Sequence, residues 1–212
     1  MRIPIAGDGY RFILPLLAVT VLFFWLNWII PAGLSFLALL FVVNFFRDPE
    51  RQIPTEPGLV VSPADGKVVE IQDDTDPLLT QPSVRISVFL NVFNVHVNRV
   101  PVPGRILAIR YNKGKFLNAA SHKASLDNEQ NALLIETGPH SVLVKQIAGL
   151  IARRIVCWVR EGQTMETGER FGLIRFGSRT DIFLPADSKI DVKIGDHVKG
   201  GSSILGKLPE GS

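Results

Sequence analysis

Between Arg11 and Arg47 the chain carries no charged residue. The intervening run, FILPLLAVTVLFFWLNWIIPAGLSFLALLFVVNFF, is almost wholly apolar and far longer than a core helix of a globular domain requires, so lipid is the solvent it suits. It also greatly exceeds the roughly 7–15 apolar residues of a secretory signal, and no small-x-small cleavage site precedes the polar chain. Residues 1–46 are therefore expected to form a membrane segment, a hydrophobic helical hairpin divided at Pro31-Ala32-Gly33. As helices, residues 13–30 would extend about 27 Å and residues 32–46 about 22 Å, against a hydrocarbon core of about 30 Å. Those lengths suit a hairpin that dips in and returns as well as two full spans. Trp25 and Trp28 lie just before the division, where an interfacial aromatic belt would put them. Arg2 and Arg11 precede the segment and Arg47 and Arg51 follow it, which favours a cell-membrane protein with both ends, and the rest of the chain, on the cytoplasmic side.

With Arg2, Asp8 and Arg11 set aside, the 23 basic and 20 acidic side chains of the whole chain become 21 and 19 in residues 47–212, a net charge of +2. That is no nucleic-acid footprint, and a small positive excess suits a domain resting on anionic lipid. The single cysteine, Cys157, excludes an internal disulfide and fits a reducing compartment. Its setting, RRIVCWV, reads as a strand, which makes it a core residue and not a nucleophile.

After the Pro-rich stretch RDPERQIPTEPG the pattern is mostly β. LVVSPADGKVVEI predicts two short strands around a turn built by Pro63, Asp65 and Gly66. VRISVFLNVFNVHVNRVPVPG alternates at Val84, Ile86, Val88, Leu90 and Val92. Its apolar phase then moves to Val95 and Val97, which predicts a bulge with His96 just beyond it. NALLIETGPHSVLVKQIAG predicts a hairpin turning at Gly138-Pro139, and ARRIVCWV another strand. SKIDVKIGDHVKGGSSILGKL gives short strands joined by Gly-Asp and Gly-Gly turns, while LNAASHKASLDNEQN alone is open to helix or irregular structure. The expected fold is mainly β (α+β), a barrel-like or sandwich-like domain over residues 47–212 behind the apolar hairpin.

Metal binding finds no support, since His96, His122, His140 and His197 show neither HxH nor HExxH spacing and one cysteine cannot start a thiolate site. His140 and His197 read as surface or satisfied core residues, and His122 as non-catalytic. Nucleotide and α/β-hydrolase motifs are missing as well. What remains is a set of polar islands in apolar β surroundings: Ser62–Gly66, Asn94–Arg99, Asn128–Asn131 and Arg175–Arg179. Together they supply an acid, a base, amide donors and a hydroxyl, the parts needed to activate a serine.

In that order, behind an apolar N-terminus, SPADG, NVFNVHVNRVPVPG, KAS…DNEQN and RFGSR.D..LP resemble the phosphatidylserine decarboxylases, in particular their short archaeal-type branch, over about residues 44–208. The resemblance implies a membrane enzyme that converts phosphatidylserine to phosphatidylethanolamine and carbon dioxide. It also implies a covalent pyruvoyl cofactor made from Ser178. On this pattern the Ser178 hydroxyl attacks the Gly177 carbonyl, the ester eliminates to dehydroalanine, and hydrolysis leaves a pyruvoyl group and ammonia. The proenzyme thereby becomes a heterodimer of a β subunit, residues 1–177, and an α subunit, residues 178–212. Glycine lets the carbonyl be approached closely, and the fold has to supply a base and oxyanion donors. The ketone then forms a Schiff base with the substrate amine and accepts the electrons released as carbon dioxide leaves.

Residue by residue, Asp65 matches the family aspartate of the acid–base relay, and His96 falls to proton donation at the decarboxylated carbon. Longer relatives carry a second histidine where this chain has Arg99. Either His96 does both jobs or Arg99 supplies charge stabilisation. Arg99, Arg179, Asn128 and Glu129 are expected at the substrate; for Arg179 the alternatives are a phosphate or carboxylate contact and an ion pair with Asp181. No metal and no nucleic acid is implied. Two other readings stand beside this one. VVSPADGKVVEI and IDVKIGDHVKGGSSILGKL are also similar to the halves of a biotinyl/lipoyl-like β-sandwich, as in membrane-anchored adaptor modules without catalysis, although the helical hairpin and lysine attachment tip of those modules are missing. A pyruvoyl decarboxylase acting on a soluble amino acid is the nearer rival.

Overall fold

Leucine, valine and phenylalanine fill the N-terminal run, and the chain there forms two helices, α1 (Tyr10–Trp25) and α2 (Ile29–Phe45). In the computed structural model, which describes residues 4–114, 128–149, 154–175 and 178–210, the helices belong to a unit of residues 1–50; residues 51–212 form a second. The helices part at Leu26–Trp28, where Asn27 takes a φ of 56°, and not at Pro31-Ala32-Gly33 as expected. Pro31 is the third residue of α2. The N–H groups of a first turn have no acceptor within the helix, so proline starts this helix where it would break an interior. At about 1.5 Å per residue the helices are about 24 and 26 Å long, and α1 with the turn before it is apolar and long enough to cross a membrane. Phe46 stacks on Phe12 with ring centroids 5.5 Å apart, and the Ala6 N–H donates to the Phe46 carbonyl at 2.8 Å, which ties the two ends of the hairpin together. Trp25 and Ile30 are each 77% exposed and Leu14 and Val21 more than half, an apolar surface without protein cover in this unit.

The second unit is mainly β. Its strands are β1 (Leu59–Val61), β2 (Gly66–Asp74), β3 (Ser83–Leu90), β4 (Val97–Arg99), β5 (Gly104–Asn112), β6 (Gln130–Thr137) and β7 (His140–Ala148), followed by β8 (Ile155–Cys157), β9 (Thr164–Met165), β10 (Arg170–Ile174), β11 (Ser178–Pro185), β12 (Lys189–Ile190), β13 (His197–Val198) and β14 (Ile204–Lys207). Among the described residues they form an eight-stranded sheet in the order β13-β2-β3-β11-β7-β6-β5-β9 and two three-stranded sheets, β1-β14-β12 and β4-β10-β8. Every pairing is antiparallel. The period-2 pattern of the sequence is what buries one face of the large sheet. Val84, Ile86, Val88 and Leu90 of β3 lie level with Leu184, Ile182, Thr180 and Ser178 of β11, and with Val144 and Leu133 beyond, to make the main core. Full burial of each such aliphatic side chain contributes about 1.5–3 kcal/mol.

The predicted hairpin at Gly138-Pro139 is β6–β7, with Gly138 at a φ of 57°. The phase change after Leu90 is not a bulge. The Asn91 backbone N–H donates to Asn94 Oδ1 at 2.9 Å and the Phe93 N–H to Asn91 Oδ1 at 2.9 Å, so the asparagines end β3 in a turn and β4 continues in another sheet. RFGSR is likewise a crossing point, between β10 of one sheet and β11 of another. Gly177 and His122, with most of LNAASHKASLDNEQN, lie outside the described residues.

Candidate active site

The polar islands meet at one end of the large sheet. Ser178, the first residue of β11, is level with Leu90 on one side and Ala148 on the other. One strand further, Lys67 pairs with Phe89, which sets Gly66 beside Leu90. At two strand spacings, Gly66 and therefore the adjacent Asp65 turn stand about 10 Å from Ser178. An added Cβ at Gly66 would collide with the Phe89 carbonyl, so the close approach of β2 to β3 here requires glycine. On the other flank the Asn128 side chain donates to the Ala148 carbonyl at 2.7 Å, and the Ala148 N–H donates to the Glu129 carbonyl at 2.9 Å. Four segments far apart in sequence thus end in one row.

His96 reaches this end through the small sheet. Val97 pairs with Leu173, and the Ile174 N–H lies 3.4 Å from the His96 carbonyl, so only residues 175–177 separate this contact from Ser178. His96 is fully buried, with Nδ1 2.9 Å from the Asn94 carbonyl. A carbonyl only accepts, so Nδ1 carries a proton, and in a neutral imidazole that makes Nε2 the acceptor. The Ser178 side chain is fully buried and its Oγ has no hydrogen-bond partner among the described residues; the same holds for Thr180 Oγ1, two residues on and on the same face. A buried hydroxyl without a partner is the exception in a folded protein, and Ser178 carries it at the end of the sheet where Leu90 and Ala148 lie level with it.

A buried amide chain, which sequence reasoning missed, fixes the distances between islands. Asn131 Nδ2 donates to Gln146 Oε1 at 3.0 Å, Gln146 Nε2 to Asn98 Oδ1 at 2.8 Å, and Asn98 Nδ2 to the Pro63 carbonyl at 3.4 Å. It runs from the Asn128–Asn131 island through the histidine strand to the Asp65 turn. Gln146 gives no local signal in sequence because it sits in an ordinary apolar strand. Asp65 itself accepts from Arg51 Nη2 at 2.9 Å on each oxygen and from the Gly200 N–H at 2.8 Å. Glu129 Oε1 accepts from the Tyr111 hydroxyl at 2.7 Å and lies 3.3 Å from the Ile155 N–H. The hydrogen bond to Glu129, with burial next, holds the Tyr111 phenol above its usual value of 10.0. Among the described residues no cluster of three histidine, cysteine or acidic side chains is arranged to hold a metal ion.

Both arginines expected at the substrate have protein partners. Arg99 is 4% exposed and donates from Nη1 to the Gly168 carbonyl at 2.9 Å. Arg179 lies on the face of β11 opposite Ser178, 2% exposed, and meets Asp181 through both Nε and Nη2 at 2.9 Å. Asp181 also faces Arg85 at 3.4 Å, and Arg85 pairs with Glu70 at 3.0 Å and Asp74 at 2.7 Å.

Comparison with known proteins gives this geometry its family. The phosphatidylserine decarboxylase profile matches residues 38–206. The chain belongs to the phosphatidylserine decarboxylase family. It is 50% identical over 209 residues to a phosphatidylserine decarboxylase proenzyme of Aromatoleum aromaticum, covering 97% of this chain and 96% of that protein. Proteins of the same name from Burkholderia pseudomallei and Syntrophus aciditrophicus are 48% and 50% identical over 207 residues, covering 97% and 95% of this chain and 96% of each relative. Asp65, His96, Asn128, Glu129 and Ser178 all fall within the span that matches the phosphatidylserine decarboxylase profile.

Proposed function

We propose that this chain decarboxylates phosphatidylserine to phosphatidylethanolamine and carbon dioxide, using a pyruvoyl group that it makes from its own Ser178. The observation that carries the reading is the buried Ser178 hydroxyl, without a partner among the described residues and at the same end of the sheet as the Asn128-Glu129 segment, in a chain of this family. Ser178 Oγ attacks the Gly177 carbonyl. His96, with Nε2 the acceptor of its neutral ring, takes the hydroxyl proton, and Asp65 completes the relay. After processing, position 178 would hold the pyruvoyl group, which would supply a ketone for the substrate amine and an electron sink for decarboxylation. His96 then delivers a proton to the decarboxylated carbon. Asn128 and Glu129 border the substrate, with Arg99 bracing the neighbouring turn. Arg179, on the far face and paired with Asp181, holds the strand in register and does not contact the lipid.

Cleavage between residues 177 and 178 leaves β11 hydrogen-bonded between β3 and β7, while β13 and β14 remain on β2 and β1. That pairing supports a lasting heterodimer of residues 1–177 and 178–212. The same pairings bring residues 59–74 and 189–207 together, in keeping with biotinyl/lipoyl-like halves. The exposed apolar surface of α1 and α2 supports anchoring in the cell membrane, and the arginines flanking the apolar run favour a cytoplasmic side for the catalytic unit. Denaturing electrophoresis tests the reading. By their shares of 212 residues, a 23.4 kDa chain yields fragments of about 19.5 and 3.9 kDa. Ser178→Ala abolishes both splitting and release of labelled carbon dioxide from phosphatidylserine in detergent micelles. Equal release from free serine would refute the lipid assignment.

A further inference from the structure

Arg51 stands in the Pro-rich stretch RDPERQIPTEPG, where an arginine reads as a solvated linker charge. Its side chain is only 9% exposed. Nη2 sits 2.9 Å from both carboxylate oxygens of Asp65, and the Gly200 N–H binds Oδ1 at 2.8 Å. A carboxylate offers about four lone-pair sites. Among the described residues the three contacts use both sites of Oδ1 and one of Oδ2, which leaves a single acceptor site, on Oδ2.

The Asp65 turn is fixed from its other side as well. Ser62 Oγ donates to the Ala64 carbonyl at 2.7 Å, and the Pro63 carbonyl accepts the Arg99 backbone N–H at 2.9 Å and the Asn98 side chain at 3.4 Å. Backbone and neighbours therefore set where residue 65 is, while Arg51 and Gly200 set which way its carboxylate faces. Arg51 is also the first residue of the second unit.

We propose that Arg51 is a positioning residue for self-processing: it clamps the Asp65 carboxylate so that its one open acceptor site serves the proton relay. This rests on the reading of Asp65 as a relay group. Holding that carboxylate with one charged donor shared by both oxygens removes the rotation that would misdirect the open site.

The test follows splitting of the full-length chain over time after synthesis in the presence of phospholipid vesicles, for wild type, Arg51→Met, Arg51→Lys and Asp65→Asn. Arg51→Met slows splitting by about 10- to 100-fold, the range that loss of a charge-assisted hydrogen bond carries. Arg51→Lys, which keeps a charged donor, stays within about tenfold of wild type. Carbon dioxide release per borohydride-trappable chain is unchanged in both variants, because Asp65 has finished its task once the chain is cut. Arg51→Met splitting at the wild-type rate would overturn the proposal. So would equal losses in the two Arg51 variants, or turnover per trapped chain falling in parallel with splitting, which mark a merely structural residue. Thermal unfolding of each variant separates slow splitting from failure to fold, and Arg51→Lys keeps the test decisive where Arg51→Met unfolds. Normal splitting of Asp65→Asn removes the relay reading itself, whatever Arg51 does.

Discussion

The two faces of strand β11 are equally buried and chemically opposite. On one, Ser178 and Thr180 are fully buried beside Leu90 and Val88, and neither hydroxyl has a hydrogen-bond partner among the described residues. On the other, Arg179 and Asp181 are 2% and 1% exposed and are paired with each other and, through Asp181, with Arg85. Burying a hydroxyl without a partner costs about 1–3 kcal/mol, whereas a buried charge persists only when matched. The difference teaches that alternation along one strand separates two duties. The charged face fixes β11 in the centre of the sheet, and the hydroxyl face holds groups that, among the described residues, stay unpaired at the expense of stability.

The sharpest way to break this contrast is on the charged side. Asp181→Asn in the Ser178→Ala background leaves two buried guanidinium groups without their shared carboxylate, and chemical denaturation should show a loss of about 3–5 kcal/mol. A loss below about 1 kcal/mol would mean that the pair is a surface-type interaction despite its burial. The opposite sign is expected across the strand. Thr180→Val removes a buried hydroxyl that has no hydrogen-bond partner among the described residues and should stabilise the fold by about 1–3 kcal/mol in the same assay. A destabilisation there would show that Thr180 Oγ1 has a partner after all.

The smallest effect concerns the rim of the row. Tyr111 titrates above its ordinary value of 10.0 because its hydroxyl donates to Glu129. A raised folded value favours the protonated phenol, so this contribution to stability is complete below the unfolded pKa and fades as pH climbs through the folded one. Ultraviolet titration with Tyr10→Phe as background should show the transition of Tyr111 moving down on Glu129→Gln. An unmoved transition would separate Tyr111 from the site.

The contrast also marks what the sequence makes legible. The apolar run, the hairpin at Gly138-Pro139 and the four polar islands are local patterns, and local patterns follow from side-chain period and turn chemistry. The site converges because strand registers bring Gly66, Leu90, Ser178 and Ala148 level, and none of those registers is written within a single island. Pro31 misleads as a helix break because its effect depends on its place in the helix, which only the observed start at Ile29 supplies. The phase change at Val95 misleads for a similar reason, since a turn that moves the chain to another sheet shifts the period just as a bulge does. The ion pairs are the least legible. Arg51 meets Asp65 across 14 residues and Arg85 meets Asp181 across 96, and charge patterning along the chain carries no trace of either. Arg179 shows the limit within a single motif, because its two alternatives differ only in the face of β11 on which it falls.

The central claim is that the buried Ser178 hydroxyl is consumed to make the chain's own electrophile. Intact mass analysis of the small fragment from full-length protein tests it most directly. The account predicts a peptide of residues 178–212 lighter by one ammonia than the same peptide beginning with serine, and resistant to Edman degradation. A fragment that begins with an ordinary serine, or an unbroken chain of 23.4 kDa that still decarboxylates phosphatidylserine, would contradict it.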